Sequence, residues 1–323
     1  MRHALIISLS RSGGKLLRTL IDGHPQCSVF PYEHWNRASK NSISAERIQT
    51  FAALPVEKRL EAAGADQVER KLTRLHPAEL VEGVMAAWRD TAAQVSTLAG
   101  MYDGLAHAYF STLGRPDDAL VVNHCGSLSR FRPDQLDAVY GPGIHLLTIR
   151  DPRAVFSSME GLLDRKFSGK RVMKGKVSPS VLERHVRNRE THGGPSAYLR
   201  EFCDSYRTMV ACYGASPAVV RMRFEDLVRS PEFAMRRVAA RLGIDWHETL
   251  LEPTQLGGGH APNTSFARSG SGIHAKAADD WVGHLDPTIC RYIEETLAEE
   301  MAALGYQRVG GASLVLDAAP LLT

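Results

Sequence analysis

Residues 4–25 read ALIISLSRSGGKLLRTLIDGHP, and their order of residue types decides the fold. Residues 4–9 are a short apolar run of the kind buried on both faces of a parallel sheet. Ser10, Arg11, Ser12, Gly13 and Gly14 make a loop by composition. From Lys15 to Ile21 the apolar residues recur at helical spacing, until Asp22-Gly23 and Pro25 end the run. The stretch predicts a strand, a loop and a helix. Glycines in such a loop let the backbone come close to a ligand, and the N–H groups at a helix N-terminus favour an anion. Arg11 and Lys15 add charge to what is otherwise an ordinary strand-to-helix turn.

Working outward, apolar runs at residues 27–30, 119–123, 144–149 and 218–224 are further strand candidates. Residues 44–113 read as helical, with apolar positions recurring at three and four. Asp151-Pro152 supplies an N-cap and a first helical residue after the fourth strand. A helix follows Phe224 and ends near Gly243, and a last one runs from Pro287, capped by Asp286, to Gly305. Strands alternating with helices predict the α/β class: one domain over residues 1–323, with a central parallel sheet flanked by helices, P-loop NTPase-like, and residues 44–113 as a helical insertion. Residues 163–200 are a candidate mobile lid, and residues 256–273 are also rich in Gly and Ser.

The 323 residues are 44% hydrophobic and 23% charged, which excludes a collagen-like, low-complexity or wholly disordered chain. A net charge of +3 is too small to signal nucleic acid as a partner, so any basic site is local. No apolar run approaches the ~18 residues of a membrane span. Cys27, Cys125, Cys203, Cys212 and Cys290 show no C-x-x-C spacing, which argues against a zinc site or a disulfide framework and for a reducing cytoplasm. The oligomeric state is left open.

The loop departs from the ATP-binding pattern G-x-x-x-x-G-K-[ST]. Its first glycine is missing, and Leu16 stands where a hydroxyl would ligate Mg²⁺. A second candidate anion motif lies at residues 145–159, HLLTIRDPRAVFSSM. Arg150 ends an apolar strand and Ser158 follows on the next helix, so a guanidinium and a hydroxyl can converge on one phosphate. Read alone, Arg-Asp-Pro-Arg is a capped helix start carrying surface charge.

Together these segments resemble sulfotransferases that use 3′-phosphoadenosine 5′-phosphosulfate (PAPS). The opening resembles their loop P-[RK]-S-G-T-T-x-L, matched by Arg11, Ser12, Gly13 and Leu17. Ser10 replaces Pro, and Gly14-Lys15 replaces Thr-Thr. Residues 145–159 resemble the 3′-phosphate motif R-D-P-R-x-x-x-x-S, and residues 220–231, VRMRFEDLVRSP, resemble R-Y-E-D-L-x-x-x-P. Asp280-Trp281 and Gly305-Tyr306 also follow the family. The resemblance implies that Arg11, Ser12, Gly13, Gly14, Lys15 and Leu16 hold the 5′ end of the donor and that Arg150 and Ser158 hold its 3′-phosphate. It further implies Phe224 near the adenine, Arg268 and Lys276 as ligands from a closing segment, and structural roles for Arg153, Glu225 and Asp226. PAPS is then the co-substrate and 3′,5′-adenosine bisphosphate (PAP) the product, with no metal required.

A hydroxyl that attacks sulfur loses a proton, so a general base is expected. Glu33, in Tyr32-Glu33-His34-Trp35 after the second strand, is the first candidate, because ligands of open α/β sheets bind at the carboxyl ends of strands. Several sulfotransferase branches place a catalytic glutamate there. His124, at the end of the third strand, is the rival, with a core or capping histidine as its plain alternative. His34 is a candidate for orienting the substrate. Lys15 and Arg11 are expected to neutralise charge on the leaving phosphate oxygen. The basic stretch Arg165, Lys166, Lys170, Arg171, Lys174 and Lys176 reads either as a lid or as a solvated loop. The expected activity is in-line sulfuryl transfer to a hydroxyl or amine of a small-molecule or carbohydrate acceptor. A P-loop small-molecule kinase and a non-catalytic nucleotide-binding relative are the alternatives.

Overall fold

The first apolar run forms β1 (His3–Ser8), buried along its whole length and central in a five-stranded sheet. The computed structural model describes residues 1–33, 50–126, 131–167, 183, 194–213, 216, 219–259 and 272–308. The other strands are β2 (Cys27–Glu33), β3 (Leu120–Cys125), β4 (Ile144–Ile149) and β5 (Val219–Arg223). All pair in parallel, in the order β2-β3-β1-β4-β5. Alternate side chains of β1 enter different cores. Leu5 and Ile7 pack with Trp88, Leu105 and Tyr109, whereas Ala4 and Ile6 pack with Leu17, Leu20, Met235 and Val238. Burial on both faces explains why the strand reads as continuous rather than alternating.

Helix α1 (Gly14–Ile21) follows β1. Between β2 and β3 lie a 3₁₀ turn at Phe51–Ala53 and helices α2 (Val56–Ala63), α3 (Ala65–Leu72), α4 (Ala78–Gln94) and α5 (Leu98–Thr112). The helical expectation for residues 44–113 therefore holds from residue 50, and residues 44–49 lie outside the described residues. Helix α6 (Pro133–Tyr140) precedes β4, and α7 (Pro152–Lys166) follows it, capped by Asp151. Helix α8 (Ala197–Tyr213) leads to β5. Most of the lid expected at residues 163–200, with Lys170, Arg171, Lys174 and Lys176, falls outside the described residues.

Three boundaries differ from the sequence reading. Strand β2 continues through Pro31 to Glu33 instead of stopping before the proline. It is an edge strand whose register with β3 shifts between Val29 and Glu33, and an edge irregularity is where a missing N–H is tolerated. The helix expected after Phe224 is two, α9 (Phe224–Arg229) and α10 (Pro231–Leu242), because Pro231 cannot donate into a continuing helix. The last helix is also two, α11 (Pro287–Thr296) and α12 (Ala298–Ala303), broken at Leu297. Between α10 and α11 lie the small hairpin β6 (Thr254–Gln255) and β7 (Gly258–Gly259) and a 3₁₀ turn at Ala275–Ala278.

The strand order sets where a ligand binds. The chain leaves β1 toward the β2 edge and leaves β4 toward the β5 edge, so β1 and β4 flank a topological switch point. The loops after these two strands hold Arg11 and Arg150. Among the described residues, no helix is long and apolar enough to cross a membrane.

Candidate active site

The loop after β1 sets donors without protein partners among the described residues, and positive charge, at the start of a helix. Gly13 has φ 97°, and a Cβ on it would lie 2.5 Å from Phe224 Cδ2, so only glycine fits both the backbone and the ring. Arg11 also takes a left-handed backbone, φ 73°. Helix α1 then starts with no side-chain cap on its N–H groups and no acidic residue in its first turn. Lys15 in that turn opposes the helix dipole. Uncapped donors plus a cation at a helix start are satisfied by a bound anion. Ser12 Oγ is buried with no hydrogen-bond partner among the described residues, one more donor aimed at no protein group. Burial lowers the pKa of Lys15, and Arg18 and Arg11 push it the same way.

The second motif meets the first directly. Arg11 Nε donates to Ser158 Oγ at 2.9 Å, and Arg150 donates to the Arg11 carbonyl at 3.2 Å. The Arg150 guanidinium lies 4.4 Å from the centre of the Phe224 ring and donates to the Ala277 carbonyl at 2.7 Å. Arg11, Ser12, Gly13, Gly14, Lys15, Arg150, Ser158 and Phe224 thus form one neighbourhood. The Leu16 side chain packs beside Phe224, Val228 and Ala278. Lys276 stands in the turn next to Ala277. Arg268 and His34 lie outside the described residues.

Behind these groups runs a buried charged layer. Arg153 binds Asp151 and Glu294 and lies 4.7 Å from the Trp281 ring centre, so its charge is matched inside the protein. Glu225 accepts from the Asp151 N–H and from Tyr306 Oη, both at 3.0 Å. Burial, reinforced by the Asp151 charge, raises its pKa to about 7. Asp226 binds Arg223.

At the other side of the loop, Glu33 is exposed at the end of β2 and sits opposite His124 in register. A Cβ on Gly126 would overlap the Glu33 carboxylate, so the carboxylate lies over that glycine. His124 is buried within β3. Its Nε2 lies 3.1 Å from Ser8 Oγ, and both atoms would be 2.5 Å from a Cβ on Gly14. Burial, then the charges of Arg18, Lys15 and Lys71, push its pKa down to about 3. An imidazole with so little affinity for a proton is a poor general base.

Sequence reasoning did not single out three residues here. Lys71, on α3, donates to the Glu33 carbonyl and lies 5.0 Å from the Tyr32 ring centre. Its sequence context, DQVERKL, reads as a solvated helix face. Arg18 is only 4% exposed, one helical turn after Gly14. A cation on the buried face of a short helix was the available signal. Gly126 gave none.

A model of the sulfotransferase family matches residues 4–248. Two solved structures share the fold. The sulfotransferase domain from the Synechococcus PCC 7002 olefin synthase is 19% identical with a TM-score of 0.54, and the match covers 92% of this chain and 94% of that one. The sulfotransferase domain from the curacin biosynthetic pathway is 18% identical with a TM-score of 0.51, over 92% and 98% of the two chains. Among curated proteins, the comparison found no match.

Proposed function

The chain belongs to the sulfotransferase family, and from that premise we propose that it moves the sulfuryl group of PAPS to a hydroxyl or amine of a small-molecule or carbohydrate acceptor, releasing PAP. The observation that carries the reading is the direct link between two anion seats. Arg11, beside the uncapped start of α1, is hydrogen-bonded to Ser158 on α7. A donor with two separated phosphate groups suits that pairing, and a single phosphate does not require it.

PAPS supplies an activated sulfuryl group on its 5′-phosphate. Ser12, the α1 backbone N–H groups and Lys15 hold the 5′ end, and Lys15 with Arg11 neutralises the negative charge left on the phosphate. Arg150 and Ser158 hold the 3′-phosphate. Phe224, fixed between Gly13 and Arg150, offers its ring to the adenine. Glu33 takes the acceptor's proton, since it is the exposed carboxylate at the strand ends and His124 is both buried and poorly basic. Helices α2–α5 supply the acceptor-facing insertion through Lys71. All five cysteines are free thiols, which supports a reducing, cytoplasmic setting.

Thermal stability with PAP, and separately with ATP and Mg²⁺, tests the donor. A ligand at 100 times its Kd stabilises by about 2.7 kcal/mol. Stabilisation by PAP is expected. A response to ATP–Mg²⁺ alone would favour a kinase, and PAP binding without transfer to any acceptor would favour a non-catalytic relative.

A further inference from the structure

Glu33 stands among more positive charge than donor binding uses. Lys15, Arg18 and Lys71 each feel its carboxylate, and the same three cations act together on His124. They come from two elements: Lys15 and Arg18 from α1, Lys71 from α3. Lys15 belongs to the phosphate loop. That leaves Arg18 and Lys71 beside the Glu33 carboxylate, with Asp22 as a second acidic neighbour of Arg18.

The Arg18 guanidinium makes no hydrogen bond or ion pair among the described residues, and Arg18 is 4% exposed. Its stronger acidic neighbour, Asp22, makes no direct ion pair with it; Asp22 Oδ2 accepts from Thr254 Oγ1 at 2.9 Å and from Gly257 N–H at 3.0 Å. Lys71 uses one of its three donors on the Glu33 carbonyl. A buried guanidinium that makes no direct ion pair with its acidic neighbours is costly, and a partly desolvated ammonium beside it compounds the cost. An anionic ligand removes it. Helix geometry gives the direction. Gly14 faces His124 Nε2, and Arg18, four residues on, shares that helix face.

We propose that Arg18 and Lys71 form an anion seat on the acceptor side of Glu33, so that the acceptor is a hydroxyl compound that also carries a carboxylate or phosphate group. This rests on the sulfotransferase reading above. The seat fixes the anionic group, which presents the neighbouring hydroxyl to Glu33. The helices between β2 and β3 are then part of substrate selection, because Lys71 is theirs.

The test uses PAP-loaded enzyme at constant ionic strength and isothermal titration calorimetry. The probes are matched pairs: lactate and methyl lactate, 4-hydroxybenzoate and its methyl ester, glycerol 3-phosphate and glycerol. In at least one pair the anionic member is expected to bind at least tenfold more tightly, and the pair that responds tells carboxylate from phosphate. Arg18→Met and Lys71→Met are each expected to erase that preference while PAP affinity stays within twofold. Lys71→Met provides the readout if Arg18→Met does not fold. Equal binding within every pair, including no binding, overturns the proposal, as does a charge preference that survives the substitutions. PAP affinity is measured first. If PAP does not bind, the donor reading fails, and the same pairs on free enzyme decide the anion seat on its own.

Discussion

The Arg11 guanidinium donates through Nε to Ser158 Oγ across 2.9 Å, joining two segments 147 residues apart in the chain. A hydrogen bond to a charged group is worth about 1.5–3 kcal/mol. Ser158→Ala should therefore raise the Kd for PAP by about tenfold or more, read by calorimetry. An affinity within twofold of the parent protein would show that the two seats act independently.

Gly14 stands where related loops carry threonine, and the room that side chain needs is taken by His124 Nε2 and Ser8 Oγ. Restoring the hydroxyl by Gly14→Thr should lower both Tm and PAP affinity. In a His124→Ala background the same change should cost much less, a coupling of the size seen between touching residues, about 0.5–3 kcal/mol. Strict additivity in the double-mutant cycle would contradict the packing.

Glu33→Gln should slow single-turnover chemistry by about 10²–10⁴-fold with PAP affinity preserved. Gly126→Ala should mimic it, because the new Cβ displaces the carboxylate. His124→Asn should act on stability more than on the chemical step. If His124→Asn alone abolishes turnover, the base has been assigned to the wrong strand.

Lys15→Ala should lower turnover strongly at saturating donor, since in the proposed mechanism its charge meets the leaving phosphate. Full turnover under those conditions would confine Lys15 to electrostatic background.

Glu225 carries a pH signature. Its carboxyl is raised by burial from 4.5 to about 7. Between those values the folded chain holds a proton that the unfolded chain has lost, so stability falls as pH rises through that window and levels off above it. The loss is on the order of 3 kcal/mol. Glu225→Gln keeps an acceptor for Asp151 N–H and a donor for Tyr306. The Tm of the parent protein relative to this variant should therefore drop between pH 5 and pH 8. A difference that does not vary with pH would mean that Glu225 stays ionised.

The two loop motifs that meet in this site were legible in the sequence because each is local. Arg11 to Lys15 follow one strand, and Arg150 and Ser158 follow another. Strand β4 was read to its last residue, since Gly143 and Asp151-Pro152 punctuate both ends. Strand β2 was cut short at Pro31, because only the sheet order reveals that it lies at an edge. The break at Leu297 carries no Gly or Pro to announce it. The neighbourhood of Glu33 was legible only at Glu33 and His124. Lys71 reaches Glu33 through the packing of α3, and no pattern within DQVERKL encodes that contact.

The buried layer behind the anion motifs takes its partners from the end of the described chain. Arg150 binds the Ala277 carbonyl, Arg153 binds Glu294, and Glu225 binds Tyr306. A ribosome making this protein releases both loop motifs long before those partners emerge. The nascent chain thus holds Arg150, Arg153 and Glu225 with only their earlier partners, Arg11 and Asp151, throughout the synthesis of the intervening residues. The layer closes late in translation, and a chain truncated before Tyr306 carries the motifs without the Tyr306–Glu225 hydrogen bond.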